Sequence, residues 1–169
     1  MGGCPNNCVK PDLNDLGIVG QRVPLLNSEL CRGCKKCQVE LNCPIKIAKL
    51  SDGKLIIGEE CNNCGRCKDK CPFGAIPEYT NGYKVYLGGR WGKKFATGKP
   101  LDKIFTSEDE VMELIENAIL LFRDEGISGE RFSDTITRLG FDYVQDKLLN
   151  KKIDKSKILN KTVKGGATC

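Results

Sequence analysis

The sequence of 169 residues contains no histidine. Catalytic triads built on histidine, histidine-based general acid–base chemistry and histidine-ligated zinc are therefore excluded from this chain. It also has no apolar run near the roughly 18 residues that a membrane-spanning helix needs, and no basic-then-apolar leader. The formal net charge of +5 is mild, and no basic stripe interleaved with aromatic residues accompanies it. The charge suits an acidic protein partner or an anionic ligand and does not indicate nucleic acid.

Cysteine is the residue that the chain has in excess, with eleven in all. A secreted scaffold held by disulfides is one explanation for such a content. Two features oppose it, because the chain has no export signal and its odd number of cysteines is spaced as metal ligands are. We expect a reducing, cytoplasmic and anaerobic compartment.

Eight of the cysteines form a block in which one pattern occurs twice. The triplet Cys31, Cys34 and Cys37 is followed after five residues by Cys43-Pro44, and the triplet Cys61, Cys64 and Cys67 after three residues by Cys71-Pro72. Gaps of two residues let three thiolates curl around one cluster, and the proline turns the fourth cysteine towards the other cluster. The spacing therefore predicts two [4Fe–4S] clusters. Their ligands would be Cys31, Cys34, Cys37 and Cys71 for the first, and Cys61, Cys64, Cys67 and Cys43 for the second.

This block resembles the bacterial-type two-cluster ferredoxins over residues 29–79. Zinc is the alternative, but it is bound by pairs of cysteine pairs rather than by two triplets that are each trailed by Cys-Pro. The extra residues between Cys37 and Cys43 lengthen one loop without removing a ligand. Basic side chains surround the cysteines and would either offset cluster charge and guide an acidic partner or form an ordinary solvated face. They are Arg32, Lys35, Lys36, Arg66, Lys68 and Lys70.

The remaining chain predicts a mixture of strands and helices. Short apolar runs at 16–20 and 23–26 predict two strand pieces with a bend at Gly20 and Pro24. Asp52-Gly53 predicts a hairpin turn between strands at 45–50 and 54–57, and 83–87 predicts a further strand, followed by a glycine- and lysine-rich loop. Ser107 and Glu110 form a capping box for a helix that ends near Gly126. Shorter helices are predicted at 130–139 and 142–149.

The first residues of the chain indicate a protein family more specifically than the cysteine block does. Gly3-Cys4-Pro5-Asn6-Asn7-Cys8, followed by Pro11, Asp12 and Leu16-Gly17-Ile18-Val19-Gly20, resembles the sirohaem-dependent sulfite and nitrite reductases. Gly129-Glu130-Arg131-Phe132 and Arg138-Leu139-Gly140 look like that family's C-terminal helical segment. The inserted ferredoxin resembles the dissimilatory and anaerobic sulfite reductase branches. The fold implied is α+β: the family's C-terminal α/β scaffold interrupted by a two-cluster ferredoxin domain.

The resemblance implies roles for residues outside the ferredoxin block. Cys4 would be a ligand of a third [4Fe–4S] cluster, and Cys8 would also bridge that cluster to the sirohaem iron. Arg90 and Lys93, in a loop with Trp91 and Lys94, would contact the sirohaem carboxylates. The plainer explanations are two free thiols for Cys4 and Cys8, and a basic surface loop for the others. Cys169 has no partner motif and is expected to be a free thiol.

The same resemblance implies a reductase that converts sulfite to sulfide, with nitrite as the alternative substrate. We expect four regions: reductase scaffold at 1–28, the ferredoxin insert at 29–79, further scaffold at 80–149 and a basic tail at 150–169. The family's earlier cysteine pair and haem-gripping half are not in this chain. We therefore expect it to act with an N-terminal reductase half or another subunit, an electron donor protein and a small anion. Two other functions remain open, a non-catalytic ferredoxin-type carrier on a reductase scaffold and a structural or regulatory iron–sulfur protein.

Overall fold

The structure is a computed structural model that describes residues 1–150 together with Ile153, Asp154 and Ser156. It comprises two compact units, Met1–Val111 and Met112–Cys169. Nearly all of the predicted basic tail, including Cys169, lies outside the described residues. The strands are β1 (Leu16–Leu25), β2 (Ala48–Ser51), β3 (Lys54–Ile57), β4 (Glu78–Leu87) and β5 (Lys99–Phe105). The helices are α1 (Gln38–Asn42), α2 (Glu108–Glu125), α3 (Phe132–Leu139) and α4 (Phe141–Asn150).

The first unit is built on a three-stranded antiparallel sheet in the order β1–β4–β5. The pairing of β1 with β4 is continuous from Leu16 opposite Leu87 to Leu25 opposite Glu78. Alternating apolar side chains of the sheet are buried, as expected where one face of a strand pair covers a core. They include Ile18, Val85, Leu87, Leu101 and Phe105.

The prediction of two strand pieces with a bend at Gly20 and Pro24 was wrong, because β1 is one unbroken strand of ten residues. Pro24 is tolerated because β1 is an edge strand of this sheet. The N–H that proline lacks is not needed for the hydrogen bonds between β1 and β4. Gly20 has a steric role instead. A Cβ there would lie 2.5 Å from the carbonyl oxygen of Gly3, so glycine is needed where the chain's first residues approach β1.

Two elements were not predicted. The segment before Pro100 was expected to be a loop, but β5 begins at Lys99, and its apolar alternation at Leu101 and Phe105 is masked by charged neighbours. The extra residues after Cys37 form the short helix α1 rather than a longer loop, with Val39 fully buried. The predicted hairpin turn at Asp52-Gly53 and its second strand were correct, but the first strand, β2, begins at Ala48 and not at residue 45.

The cysteine-rich block leaves and rejoins the sheet at neighbouring positions. Leu25, the last residue of β1, is paired with Glu78, the first residue of β4. Between them lies a separate apolar core that includes Val39, Leu55 and Ile76. The segment between these two residues therefore has a core of its own and ends that lie next to each other.

Up to Asn150, the second unit is helical and follows the predicted pattern. Its described core includes Leu121, Phe132, Ile136, Val144 and Leu148. Phe122 and Phe132 meet edge to face with ring centroids 5.6 Å apart. Glu130 accepts two hydrogen bonds from Arg138, from Nε at 2.9 Å and from Nη2 at 3.0 Å, which closes the loop between α2 and α3.

The start of α2 lies in the first unit and carries the predicted cap. The hydroxyl of Ser107 accepts a hydrogen bond from the N–H of Asp109 at 3.1 Å. Glu110 reaches one residue further back than a standard capping box, accepting from the N–H of Thr106 at 3.2 Å. With both strands and helices throughout, the fold is α+β. No helix among the described residues is long and apolar enough to cross a membrane.

Candidate metal centres

The first candidate centre is a cavity between α1 and the β2–β3 hairpin. Its apolar wall includes Val39, Leu50, Leu55 and Ala75. Four cysteine side chains line it, and they are Cys31, Cys34, Cys37 and Cys71.

The second candidate centre is another cavity lined by residues of the same apolar core, Cys43 and Ala48. Its apolar wall includes Ile45, Ile47, Ala48 and Ile57. The cysteines that line it are Cys43, Cys61, Cys64 and Cys67.

Each cavity takes three cysteines from one triplet and the fourth from the Cys-Pro that trails the other triplet. No three His, Cys, Asp or Glu side chains among the described residues are grouped closely enough to hold a single metal ion. Zinc needs its thiolates about 2.3 Å from one shared ion. In a cubane each thiolate binds a different iron, so the four sulfurs stand further apart. Three cysteines from one triplet and one from the other Cys-Pro in each cavity fit the ligand pattern of two [4Fe–4S] clusters, whereas zinc is bound by pairs of cysteine pairs.

Backbone N–H groups point at the buried sulfur of the first centre. The N–H of Leu55 donates to Cys31 Sγ at 3.3 Å. The pKa of the Cys31 thiol is lowered, mainly by a hydrogen bond from the N–H of Gly33. Burial raises this pKa, whereas the N–H of Leu55 and the positive charge of Lys54 lower it further. Lys54 is held there by hydrogen bonds from its Nζ to the carbonyl oxygens of Ser28 and Cys31. This environment favours the thiolate that a metal requires.

The second centre combines stabilised and destabilised thiols. Burial raises the pKa of Cys43, but backbone N–H groups of residues 45–48 outweigh it, so the net shift is downward. For Cys61 and Cys67, burial raises the pKa, and repulsion from the neighbouring cysteines, Cys43 and Cys64 among them, adds to it. Once ionised, four thiolates in one cavity would repel one another, and the irons of a cluster would supply the compensating positive charge.

One glycine in each triplet lets the chain turn around its centre. Gly33 has φ +63° and Gly65 has φ +69°, in the left-handed region that glycine enters without strain. A Cβ on Gly33 would lie 2.5 Å from the carbonyl oxygen of Gly53, and one on Gly65 would lie 2.6 Å from Cβ of Arg22. Both glycines are therefore required by conformation and by close packing.

Cys4 and Cys8 line neither four-cysteine cavity and are both exposed. The start of the chain is anchored to the sheet, since Gly2 forms a parallel bridge with Val19. A turn then follows, in which the backbone and side-chain N–H groups of Asn7 both donate to the carbonyl oxygen of Cys4. The cysteines thus flank a well-defined turn beside the edge of β1.

The basic loop at 90–96 is fixed at its base to the same region. Arg90 and Ala96 exchange two backbone hydrogen bonds, and the N–H of Gly98 donates to the carbonyl oxygen of Asp12 at 2.7 Å. Lys93 is exposed and Arg90 is half-buried. The loop is therefore anchored to a residue that follows Cys8 closely in the sequence.

A family model described as nitrite and sulphite reductase 4Fe-4S domain matches residues 1–157. The chain belongs to this family. Coenzyme F420-dependent sulfite reductase of Methanocaldococcus jannaschii is 31% identical over 172 residues, covering 83% of this chain and 23% of that protein. A subunit of the anaerobic sulfite reductase of Salmonella typhimurium is 31% identical over 133 residues, covering 76% of this chain and 39% of that relative.

The solved structure of dissimilatory sulfite reductase I has a similar fold, with a TM-score of 0.57 and 22% identity, over 93% of this chain and 44% of that one. The chain spans less than half the length of each of these relatives. It is thus an iron–sulfur, electron-transfer domain of an oxidoreductase family whose members include subunits of larger sulfite reductases.

Reasoning from the sequence of this 4Fe-4S domain missed several residues near the centres. Lys54 lies beside Cys31, although the sequence pattern predicted only a strand there. Gln21 and Asn62 line a third cavity together with Cys61. The only available signal was that polar residues interrupt apolar or cysteine-rich segments, which does not by itself predict a site.

Proposed function

We propose that this chain carries electrons through two [4Fe–4S] clusters to the sirohaem-linked centre of a sulfite reductase. The observation that carries the proposal is the exchange of cysteines between triplets. Each cavity has three thiols from one triplet and one from the other, the ligand pattern of a two-cluster ferredoxin. The first cluster would be held by Cys31, Cys34, Cys37 and Cys71, and the second by Cys61, Cys64, Cys67 and Cys43.

The chain path supports the division into an inserted ferredoxin and a surrounding scaffold. Because Leu25 and Glu78 are register partners, the segment between them can be inserted without disturbing the sheet, and of the proposed insert at 29–79 only Glu78 and Tyr79 belong to β4. Residues of the hydrophobic core of the insert line both cavities. Two centres on one rigid core keep a fixed separation, which suits stepwise electron transfer.

The third cavity supports an order for the centres. Pro5 and Asn7, from the turn between Cys4 and Cys8, line it together with Cys61 of the second centre. No cysteine of the first centre lines it. We therefore place the second cluster next to the sirohaem-linked centre and the first cluster on the side of the electron donor.

Cys4 and Cys8 would supply two of the four thiolates of that last centre, with Cys8 as the bridge to sirohaem. Their exposure leaves both sulfurs available to a further polypeptide segment, which would supply the other two thiolates. Arg90 and Lys93 would pair with the carboxylates of sirohaem, since arginine binds carboxylates in a bidentate manner. When bound, the sirohaem and its cluster supply the multi-electron chemistry at sulfur, and the protein supplies position and charge.

We propose sulfite as the substrate because the relatives described above are named as sulfite reductases. The partners would be the rest of the reductase, on this polypeptide or another, and a donor protein with an acidic surface. The basic side chains Arg32, Lys35 and Lys36 lie around the first triplet, and all three are exposed. They would guide such a donor to the first cluster.

The test is anaerobic reconstitution with iron, sulfide and sirohaem, followed by iron analysis and the visible spectrum. We expect about eight irons per chain from two four-iron clusters, and no haem band until the completing reductase segment is co-expressed. Haem binding should then depend on Cys8, with Cys8→Ser losing the band while retaining the eight irons. About four irons or fewer would contradict the two-cluster assignment. Redox-active clusters without haem in the co-expressed assembly would instead favour a non-catalytic ferredoxin-type carrier.

A further inference from the structure

The turn of the β2–β3 hairpin lies against the first cysteine triplet. A Cβ on Gly33 would lie 2.5 Å from the carbonyl oxygen of Gly53, which shows how closely the two segments approach. Two residues further along the hairpin, the N–H of Leu55 donates to Cys31 Sγ at 3.3 Å. Gly53 and Leu55 therefore both contact the triplet, and Lys54 lies between them in the sequence.

Lys54 directs its ammonium group at the backbone that leads into this triplet. Nζ of Lys54 donates to the carbonyl oxygen of Ser28 at 3.0 Å and to that of Cys31 at 3.2 Å. Because Lys54 is an exposed residue, its side chain would otherwise be free to move in solvent, and the two acceptors fix its position. The ammonium group is thus held at the residue whose sulfur lines the first cavity.

The positive charge of Lys54 is not cancelled by a carboxylate. None of the ion pairs between described residues involves Lys54, and its two hydrogen-bond partners are neutral carbonyl groups. Arg32 and Lys36 also line the first cavity, and both are exposed. In the described part of the chain, Lys54 differs from them in being fixed by two hydrogen bonds. It therefore places a full positive charge at a defined position beside the first centre.

We propose that Lys54 raises the potential of the first cluster, through an ammonium group that the carbonyl oxygens of Ser28 and Cys31 hold beside one of the ligands. Accepting one electron makes a cluster and its four thiolates more negative by one charge, and a nearby cation stabilises that added charge. The reduced form is therefore favoured, which raises the potential. In the order of centres proposed above, the first cluster then accepts an electron from the donor more readily. This inference rests on the proposed function in taking Cys31 as a ligand of that cluster.

The test is an EPR-monitored redox titration of the reconstituted chain and of Lys54→Met, which keeps a long apolar side chain without the charge. We expect the potential of the first cluster to fall in Lys54→Met and that of the second cluster to stay unchanged. Lys54→Arg retains the charge and the N–H donors and should restore most of the wild-type potential. The signal of the first cluster is identified in Cys43→Ala, since Cys43 lines only the second cavity.

Lys49→Met serves as the control, because Lys49 lies in the neighbouring strand of the same hairpin. Lys49 is exposed and lines neither cavity, and its removal changes the net charge of the chain by the same amount. We expect both potentials to keep their wild-type values in this variant. A fall of the first potential as large as in Lys54→Met would overturn the inference, because the position of the charge would then not matter.

The iron content separates this inference from the proposed function. About four irons or fewer in the wild-type chain would count against the two-cluster assignment itself. If Lys54→Met holds about eight irons, as the wild-type chain should, and has unchanged potentials, the inference is overturned and the assignment stays intact.

A further variant separates a role in the potential from a role in assembly. If Lys54→Met does not hold the first cluster, Lys54→Gln is titrated in its place, since an amide keeps N–H donors without the charge. A lowered first potential in Lys54→Gln would support the inference. Loss of about four irons from both uncharged variants would overturn it, because Lys54 would then be needed for assembly and not for the potential.

Discussion

The backbone N–H of Arg22 in β1 donates to the carbonyl oxygen of Asn63, in the second cysteine triplet, at 2.8 Å. An isolated parallel bridge joins Arg22 to Cys64 at the same point. The guanidinium carbon of Arg22 lies 5.2 Å from the centre of the Tyr79 ring, and Nζ of Lys68 lies 5.4 Å from the same centre. The scaffold strand therefore brings a cation to the loop of the second centre, steadied by an aromatic ring.

Replacing Arg22 should change the potential of the second cluster selectively. Arg22→Gln removes a positive charge while preserving the backbone hydrogen bond to Asn63. We expect the potential of that cluster to fall by an amount on the order of tens of millivolts, given the charge separation and screening at a protein surface. An EPR-monitored titration of the reconstituted chain measures it.

The matched control is Arg32→Gln, which removes a charge from the first cysteine triplet. It should lower the potential of the first cluster and leave the second unchanged. Equal shifts of both clusters in either variant would show that Arg22 acts through net charge and not through its position at Asn63.

The exchange of cysteines between triplets predicts a specific pattern of iron loss. Cys43→Ala should remove only the second cluster, because Cys43 lines the cavity of Cys61, Cys64 and Cys67. Combining Cys43→Ala with Cys61→Ala should cost no further iron. Combining it with Cys34→Ala, from the other cavity, should remove both clusters. The iron content of the purified chains measures this pattern. A double variant of Cys43→Ala and Cys61→Ala that loses more iron than Cys43→Ala alone would contradict the assignment.

The cysteine arrangement was the part of the site most accessible to sequence reasoning, because iron–sulfur ligands obey a local spacing rule. The family and the α+β fold were also predicted correctly from short motifs at the start and in the centre of the chain. The roles of Cys4, Cys8, Arg90 and Lys93 stay predictions. So do the ligand sets, although the structure brings each set of four side chains to one cavity.

What could not be predicted depends on contacts between distant segments. Gln21 and Asn62 are far apart in the sequence, and only the pairing of β1 with the second triplet brings them to one cavity. The continuity of β1 through Gly20 and Pro24 is likewise decided by β4, since pairing along the whole strand outweighs local turn propensity. The sequence did not predict strand β5, because pairing with β4 stabilises this strand more than its own composition does.

The glycine of the second triplet should be intolerant of a side chain. Gly65→Ala introduces both strain at positive φ and a contact with the side chain of Arg22. Gly74→Ala is the matched control, because Gly74 has φ +70° but no atom within 4 Å of the position that a Cβ would take. The strain should cost each variant about 1–3 kcal/mol, and Gly65→Ala should lose more and retain less iron at the second centre. Urea unfolding and iron analysis measure both effects, and equal losses would show that the contact with Arg22 is unimportant.

The ion pair between Glu130 and Arg138 should make the helical unit sensitive to acid. Hydrogen bonds from Arg138, opposed by burial and assisted by Thr135 and the N–H of Ile127, lower the pKa of Glu130 to about 2 from an ordinary value of 4.5. Since the folded-state pKa is depressed, the stabilisation is fully present above about pH 4.5 and is lost as the pH falls from there towards about 2.

Glu130→Gln should therefore lower the urea midpoint of the helical signal by the same amount at every pH between about 6 and 8, where Glu130 is ionised in both states. The difference from wild type should shrink only below about pH 4.5. Glu113→Gln, at an exposed position of α2, controls for the loss of a carboxylate and should leave the midpoint nearly unchanged. A difference that changes with pH near neutrality would show that another group, and not the Glu130 carboxyl, controls the stability of this loop, because a carboxyl with so low a pKa does not titrate there.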